Sequence, residues 1–170
     1  MLCTMKTQHG GFRMLQREQL LQELVHDSYK AKRKLHEPTL CPDCGAVYRQ
    51  GRWQWGAAPE KDAHKERCPA CHRVHDHFPA GYVTVRGAFF DQHRDEILHR
   101  MRHCEEAEKR EHPLQRIMAI ETDAESTVVT TTDPHLARRI GDALHDAYKG
   151  ELEYHYNKDE NLLRVAWTRG

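Results

Sequence analysis

Residues 126–156 read STVVTTTDPHLARRIGDALHDAYKGELEYHY, and this stretch decides the fold. Val128, Val129, Thr130 and Thr131 are β-branched, which favours a strand over 126–132. Asp133 can cap a following helix, Pro134 takes its first position, and Gly150 stands just past its end. Leu136, Ile140, Leu144 and Ala147 recur at helical spacing and form the stripe that a helix over 134–149 would bury. Leu152, Tyr154 and Tyr156 then alternate with Glu151, Glu153 and His155, the period of a half-buried strand.

The same patterns extend outward in both directions. Asn157 to Asn161 is a polar turn leading to a last strand with Leu163, Val165 and Trp167 on one face. Upstream, Tyr82 to Val85 reads as a strand. Phe90, Ile97, Leu98, Met101 and Cys104 share one face of a helix over 88–111, and Ile117 to Ile120 lies in a strand over 114–122. The order β-α-β-β-α-β-β predicts an α+β domain over 81–170, a ferredoxin-like split βαβ sheet with one extra strand. Residues 14–35 read as a further helix, with Leu20, Leu21, Leu24 and Val25 as its apolar stripe, and Pro38 ends it. The predicted organisation is a tail and helix over 1–37, a small cysteine-bearing module over 38–80, and the α+β domain.

The middle module carries the chemistry. Cys41-Pro-Asp-Cys44-Gly45 and Cys68-Pro-Ala-Cys71 are paired knuckles 23 residues apart. Two thiolates from each tight turn can complete a tetrahedral sulfur site, so Cys41, Cys44, Cys68 and Cys71 are expected to hold one structural zinc ion. Ala46 to Tyr48 and Arg52 to Trp55, joined through Gln50-Gly51, would form the hairpin of a zinc ribbon. Cys3 and Cys104 have no partner at metal-ligand spacing and read as a terminal thiol and a helix packing residue. His99 and His103 sit four apart on the long helix and read as a solvated face.

Composition narrows the function. The 170 residues are 38% hydrophobic and 31% charged, against about 25% charged in a typical domain. Apolar runs persist nonetheless, so the chain is not compositionally disordered. No run approaches the roughly 18 apolar residues of a membrane span, and no apolar leader opens the sequence, so no membrane association and a cytoplasmic location are expected. No P-loop, GxSxG, HExxH or GxGxxG pattern occurs, and no nucleophile–base pair is evident, so the chain is not expected to be an enzyme.

The net charge of zero hides an asymmetry: residues 1–90 carry +5 and residues 91–170 carry −5. Lys30, Lys32, Arg33, Lys34, Arg49, Arg52 and Arg73 cluster in sequence around the ribbon, with Trp53 and Trp55 among them. That set can neutralise phosphates and stack on bases, and it makes RNA or the ribosome the expected partner. One alternative stays open: the Trp pair fills the small ribbon core and the charges form a solvated face. An alternative function is a protein-interaction or stress-associated module, with the acidic C-terminal domain docking a protein and the zinc purely structural.

Both knuckles, Gly51-Arg-Trp-Gln-Trp55, His112-Pro-Leu-Gln-Arg-Ile-Met-Ala-Ile120 and Val129-Thr-Thr-Thr-Asp-Pro-His-Leu-Ala-Arg138 together resemble a family of short, largely uncharacterised bacterial zinc-ribbon proteins. The resemblance covers about residues 25–170. Those proteins are similar to the N-terminal zinc region of the archaeal and eukaryotic adaptor that exports the large ribosomal subunit. The adaptor has more CxxC pairs and further domains, so the resemblance implies ribosome or RNA binding and nothing of export.

Overall fold

Strand β6 (Gly81–Arg86) sits at the middle of the larger sheet, with Val83 and Val85 turned into the core. The computed structural model describes residues 13–14, 27–57, 59 and 61–170. Ahead of β6 in the chain come β1 (Arg13–Met14), β2 (Thr39–Leu40), β3 (Val47–Arg49), β4 (Arg52–Gln54), β5 (His64–Lys65) and helix α1 (Pro69–Asp76). After it follow α2 (Ala88–Gln92), α3 (Arg94–Glu111), β7 (Ile117–Thr122), β8 (Thr127–Thr131), α4 (Pro134–Tyr148), β9 (Glu151–Asn157) and β10 (Leu162–Thr168).

Among the described residues the chain is an α+β fold with two sheets. The larger has the order β1-β9-β10-β6-β8-β7. β6, α3, β7 and β8 form the expected split unit, with β8 between β6 and β7 and antiparallel to both. The extra strand is β10, which enters between β9 and β6 and runs parallel to β6. Its central place follows from its side chains. Leu163, Val165 and Trp167 are buried, whereas β9 alternates exposed Glu151 and Glu153 with its core residues. The short β1 pairs antiparallel with the outer edge of β9.

Helix α4 packs on β6, β8, β9 and β10 and against α3. The Asp133 carboxylate accepts a hydrogen bond from the His135 amide at 2.7 Å, and Pro134 follows it, as the sequence indicates. Leu136, Ile140 and Leu144 are fully buried. Ala147 is exposed instead, and Tyr148 takes the last inward position of the helix. The helix expected over 88–111 is broken at His93, whose ring stacks on Phe89 with centroids 4.2 Å apart. Phe90 before the break and Ile97 after it are both in the core. Cys104 packs against that core, and burial pushes its thiol up to about 11.

The smaller sheet has the order β4-β3-β2-β5. Its β3–β4 turn places both Gln50 (φ 52) and Gly51 (φ 75) in the left-handed region, the geometry of a tight type I′ hairpin. The Glu37 carboxylate accepts from both of their amides. Helix α1 was not foreseen. The His-rich run Cys71-His-Arg-Val-His-Asp76 has too few apolar residues to show a period, but Cys68 caps it and Pro69 opens it.

The helix expected over 14–35 is not supported where it can be followed. Met14 is in a strand and residues 27–35 are turn, bend and irregular chain. Leu20, Leu21, Leu24, Val25 and Cys3 lie outside the described residues. Among the described residues no helix is long and apolar enough to cross a membrane.

Candidate metal centre and basic cleft

Four thiols meet where the ribbon sheet abuts the N-terminus of α1. The first knuckle leaves β2 and turns at once: the Cys41 amide donates to the Ala46 carbonyl, and the Gly45 amide donates to the Cys41 carbonyl. Gly45 has φ 81, a conformation that suits glycine after such a knuckle. The second knuckle is the start of α1. There the Cys71 amide donates to Cys68 Sγ at 3.4 Å, and the Cys68 amide donates to Cys41 Sγ at 3.3 Å. Amide donors and the positive end of a helix both favour thiolate over thiol.

The sulfur atoms of Cys41, Cys44, Cys68 and Cys71 all lie within 4.8 Å of one another. Tetrahedral metal–sulfur bonds of about 2.3 Å give sulfur–sulfur edges of about 3.8 Å. Cys44 Sγ and Cys68 Sγ stand 3.8 Å apart. The donor set and its spacing therefore fit a bound metal ion. Among the described residues no other group of three or more His, Cys, Asp or Glu side chains is close enough to share one, so His99 and His103 do not form a second centre. With only protons to share, the Cys44–Cys68 hydrogen bond pulls the Cys44 thiol down and pushes Cys68 up, while burial pushes Cys71 up. A metal would replace those protons.

Arg116 is the residue at this centre that sequence reasoning missed. Its Nη1 donates to Cys71 Sγ at 3.3 Å, and its Nη2 reaches Cys44 Sγ at 3.3 Å and Cys68 Sγ at 3.2 Å. The guanidinium thus caps the face of the sulfur cluster opposite Cys41. Burial alone would push Arg116 down, but the contacts to Cys71, Cys44 and Cys68 more than offset it, so the group stays charged. Its backbone is fixed too: its amide donates to Thr132 Oγ1 and its carbonyl accepts from the Thr132 amide, both at 2.9 Å. Arg116 therefore joins the metal centre to the larger sheet. Nothing in the spacing around Arg116 marks it, because its ligands come from two distant loops.

Removing hydrogen-bond donors around a metal's ligands typically costs 10–100-fold in affinity. Arg116→Ala should therefore weaken metal retention about 10-fold or more in a chelator competition, with Arg116→Lys recovering part of the loss. Unchanged retention in Arg116→Ala would remove the guanidinium from the centre's energetics.

A cleft of about 570 Å³ opens beside the centre, between the β3–β4 hairpin and residues 110–115. Lys30, Arg33, Arg52, Trp53 and Trp55 all line it, although they come from two separate parts of the sequence. Arg110, Glu111, Gln115 and Asp133 also line it. Arg110 belongs to the basic last turn of α3, a signal present in the sequence but assigned there to no site. Burial pushes the Asp133 carboxyl up from the ordinary carboxylate range. Trp53 is half-buried against the cysteine cluster and meets Tyr48 edge-on at 5.6 Å. Trp55 is 36% exposed, and its Nε1 donates to the Lys109 carbonyl at 2.6 Å. The two tryptophans therefore divide: Trp53 packs against the ribbon core and also lines the cleft, and Trp55 is the more exposed of the two.

The remaining basic residues do not join them. Lys32 and Lys34 are exposed but lie off the cleft, and half-buried Arg49 pairs with Arg52 across the hairpin without lining it. Arg73 is a correction. It is 2% exposed, ion-paired with Asp27 at 2.7 Å, bonded to the Phe78 carbonyl and covered by the Tyr29 ring at 4.4 Å. The unforeseen helix α1 turns it inward, where it ties residues 27–29 to the ribbon and cannot meet a phosphate. No family model, no curated protein and no solved structure matches the chain.

Proposed function

We propose that this chain is a non-catalytic, zinc-binding adaptor of the cytoplasm that binds RNA, ribosomal RNA included, through the cleft beside its metal centre. The observation that carries this reading is the convergence of Lys30, Arg33, Arg52 and Arg110 with Trp53 and Trp55 on one concavity. Cations there neutralise phosphates, and the aromatic rings offer faces for bases. Zinc is the metal best suited to a closed tetrahedral site of four cysteines, and when bound it would cross-link the two knuckles without taking part in chemistry. Trp55 then ties the end of the hairpin to α3, and Arg116 ties both cysteine knuckles to the larger sheet. The resemblance to bacterial ribbon proteins related to the ribosomal export adaptor supports the same partner.

A salt titration tests it. Four phosphate contacts to a single strand give a slope of about −3 in log affinity against log salt. Binding of the zinc-loaded protein to total ribosomal RNA should weaken with that steepness between about 50 and 200 mM salt. Absence of binding at the lower salt, or binding indifferent to salt, would overturn the reading and favour a protein partner on the acidic half.

A further inference from the structure

We infer that the cleft takes an unpaired nucleotide from single-stranded or looped RNA rather than the surface of a duplex. This rests on the RNA-binding reading and specifies the substrate of the same site. At about 570 Å³ the cleft has the size of a small-molecule pocket, roughly 300–1,000 Å³. A paired base lies stacked inside its helix and presents only its edge in a groove, so it cannot enter such a space. A splayed base can, and stacking of splayed bases on aromatic rings is the usual mode of reading RNA loops.

Three features of the lining fit that occupant. The Trp55 ring is held in place by its hydrogen bond to Lys109 yet remains exposed, so stacking would cost it little ordering. Gln115 and Glu111 line the cleft with Asp133, whose Oδ1 already accepts from the His135 amide, so a carboxamide and a carboxylate offer further acceptor oxygens there. These are acceptors for the amino and imino donors of an unpaired base edge. A duplex keeps the imino N–H and one hydrogen of each amino group in its own pairs and shows the remaining amino hydrogens only along its grooves. Lys30, Arg33, Arg52 and Arg110 supply cations for the flanking phosphates.

The test uses the zinc-loaded protein with a mixed-sequence 12-nucleotide RNA, once as a single strand and once annealed to its complement, at one salt concentration. Anisotropy gives affinity, and tryptophan fluorescence reports stacking, with fully buried Trp167 as a constant background. The single strand should bind at least 10-fold more tightly and quench the fluorescence. Trp55→Ala should lose about 10-fold in affinity and most of the quench, while Trp55→Phe keeps most of the affinity. Zinc content of each variant shows whether its ribbon is intact. Equal or tighter binding of the duplex, or a zinc-loaded Trp55→Ala that binds the single strand unimpaired, overturns the inference while the RNA reading stands. If neither RNA binds, the RNA reading falls with it.

Discussion

Cys68→Ser, or removal of a bound metal by a strong chelator, should unfold the ribbon and leave the larger sheet standing. The ribbon has little else to hold it. Its strands are two or three residues long, and its buried apolar set is Cys41, Ala46, Val47, Cys68, Ala70 and Cys71, with Trp53 and Leu114 half-buried beside them. A core of that size cannot offset the conformational entropy of ordering the module. Structural zinc supplies about 10–16 kcal/mol of apparent binding energy at neutral pH, which is then folding energy. The α+β domain has its own core, from Phe90, Ile97 and Met101 through Ile140 and Leu144 to Trp167, and none of it touches a sulfur ligand. Hydrogen exchange should show amide protection lost across β2, β3 and β4 and retained across β6, β8 and β10. Fluorescence should report Trp53 and Trp55 moving into water, with Trp167 unchanged. Protection that persists in the hairpin of metal-free protein would contradict the account of what holds the ribbon.

Much of the α+β domain was legible because its signals are local. The Asp133-Pro134 start of α4, its stripe and the alternation of β9 are each decided within a few residues. The position of β10 between β9 and β6 was not legible, because strand order depends on the apolar faces that all the strands present together. The cysteine pairs were legible for the same reason as α4: a knuckle is a local motif. Arg116 was not, because its three sulfur contacts close only when the larger sheet brings residue 116 against both knuckles. Arg73 shows the opposite error. Its charge and its place beside the second knuckle suggested a free cation, and only the course of α1 shows that Asp27 and Tyr29 already hold it. The basic residues of 30–34 looked like one run in sequence, yet the folded chain turns Lys30 and Arg33 to the cleft and leaves Lys32 and Lys34 outside it.

That division gives the second large effect and the most direct test of the central claim. Lys30→Glu, Arg33→Glu and Arg52→Glu combined place three repulsive charges where the cleft would meet phosphates. None of the three donates to a sulfur ligand, so zinc content should stay at one per chain. Lys32→Glu with Lys34→Glu alters the same stretch of sequence off the cleft and serves as the control. The decisive measurement is the affinity of these two variants and the wild-type protein for ribosomal RNA over a range of salt, with zinc determined in each preparation. The account predicts that the cleft variant loses ~10-fold or more at low salt and that its salt slope flattens by about 2, from roughly 0.7 for each lost contact. The control should lose far less. A zinc-loaded cleft variant that binds as tightly as wild type, or a control that loses as much, would contradict it.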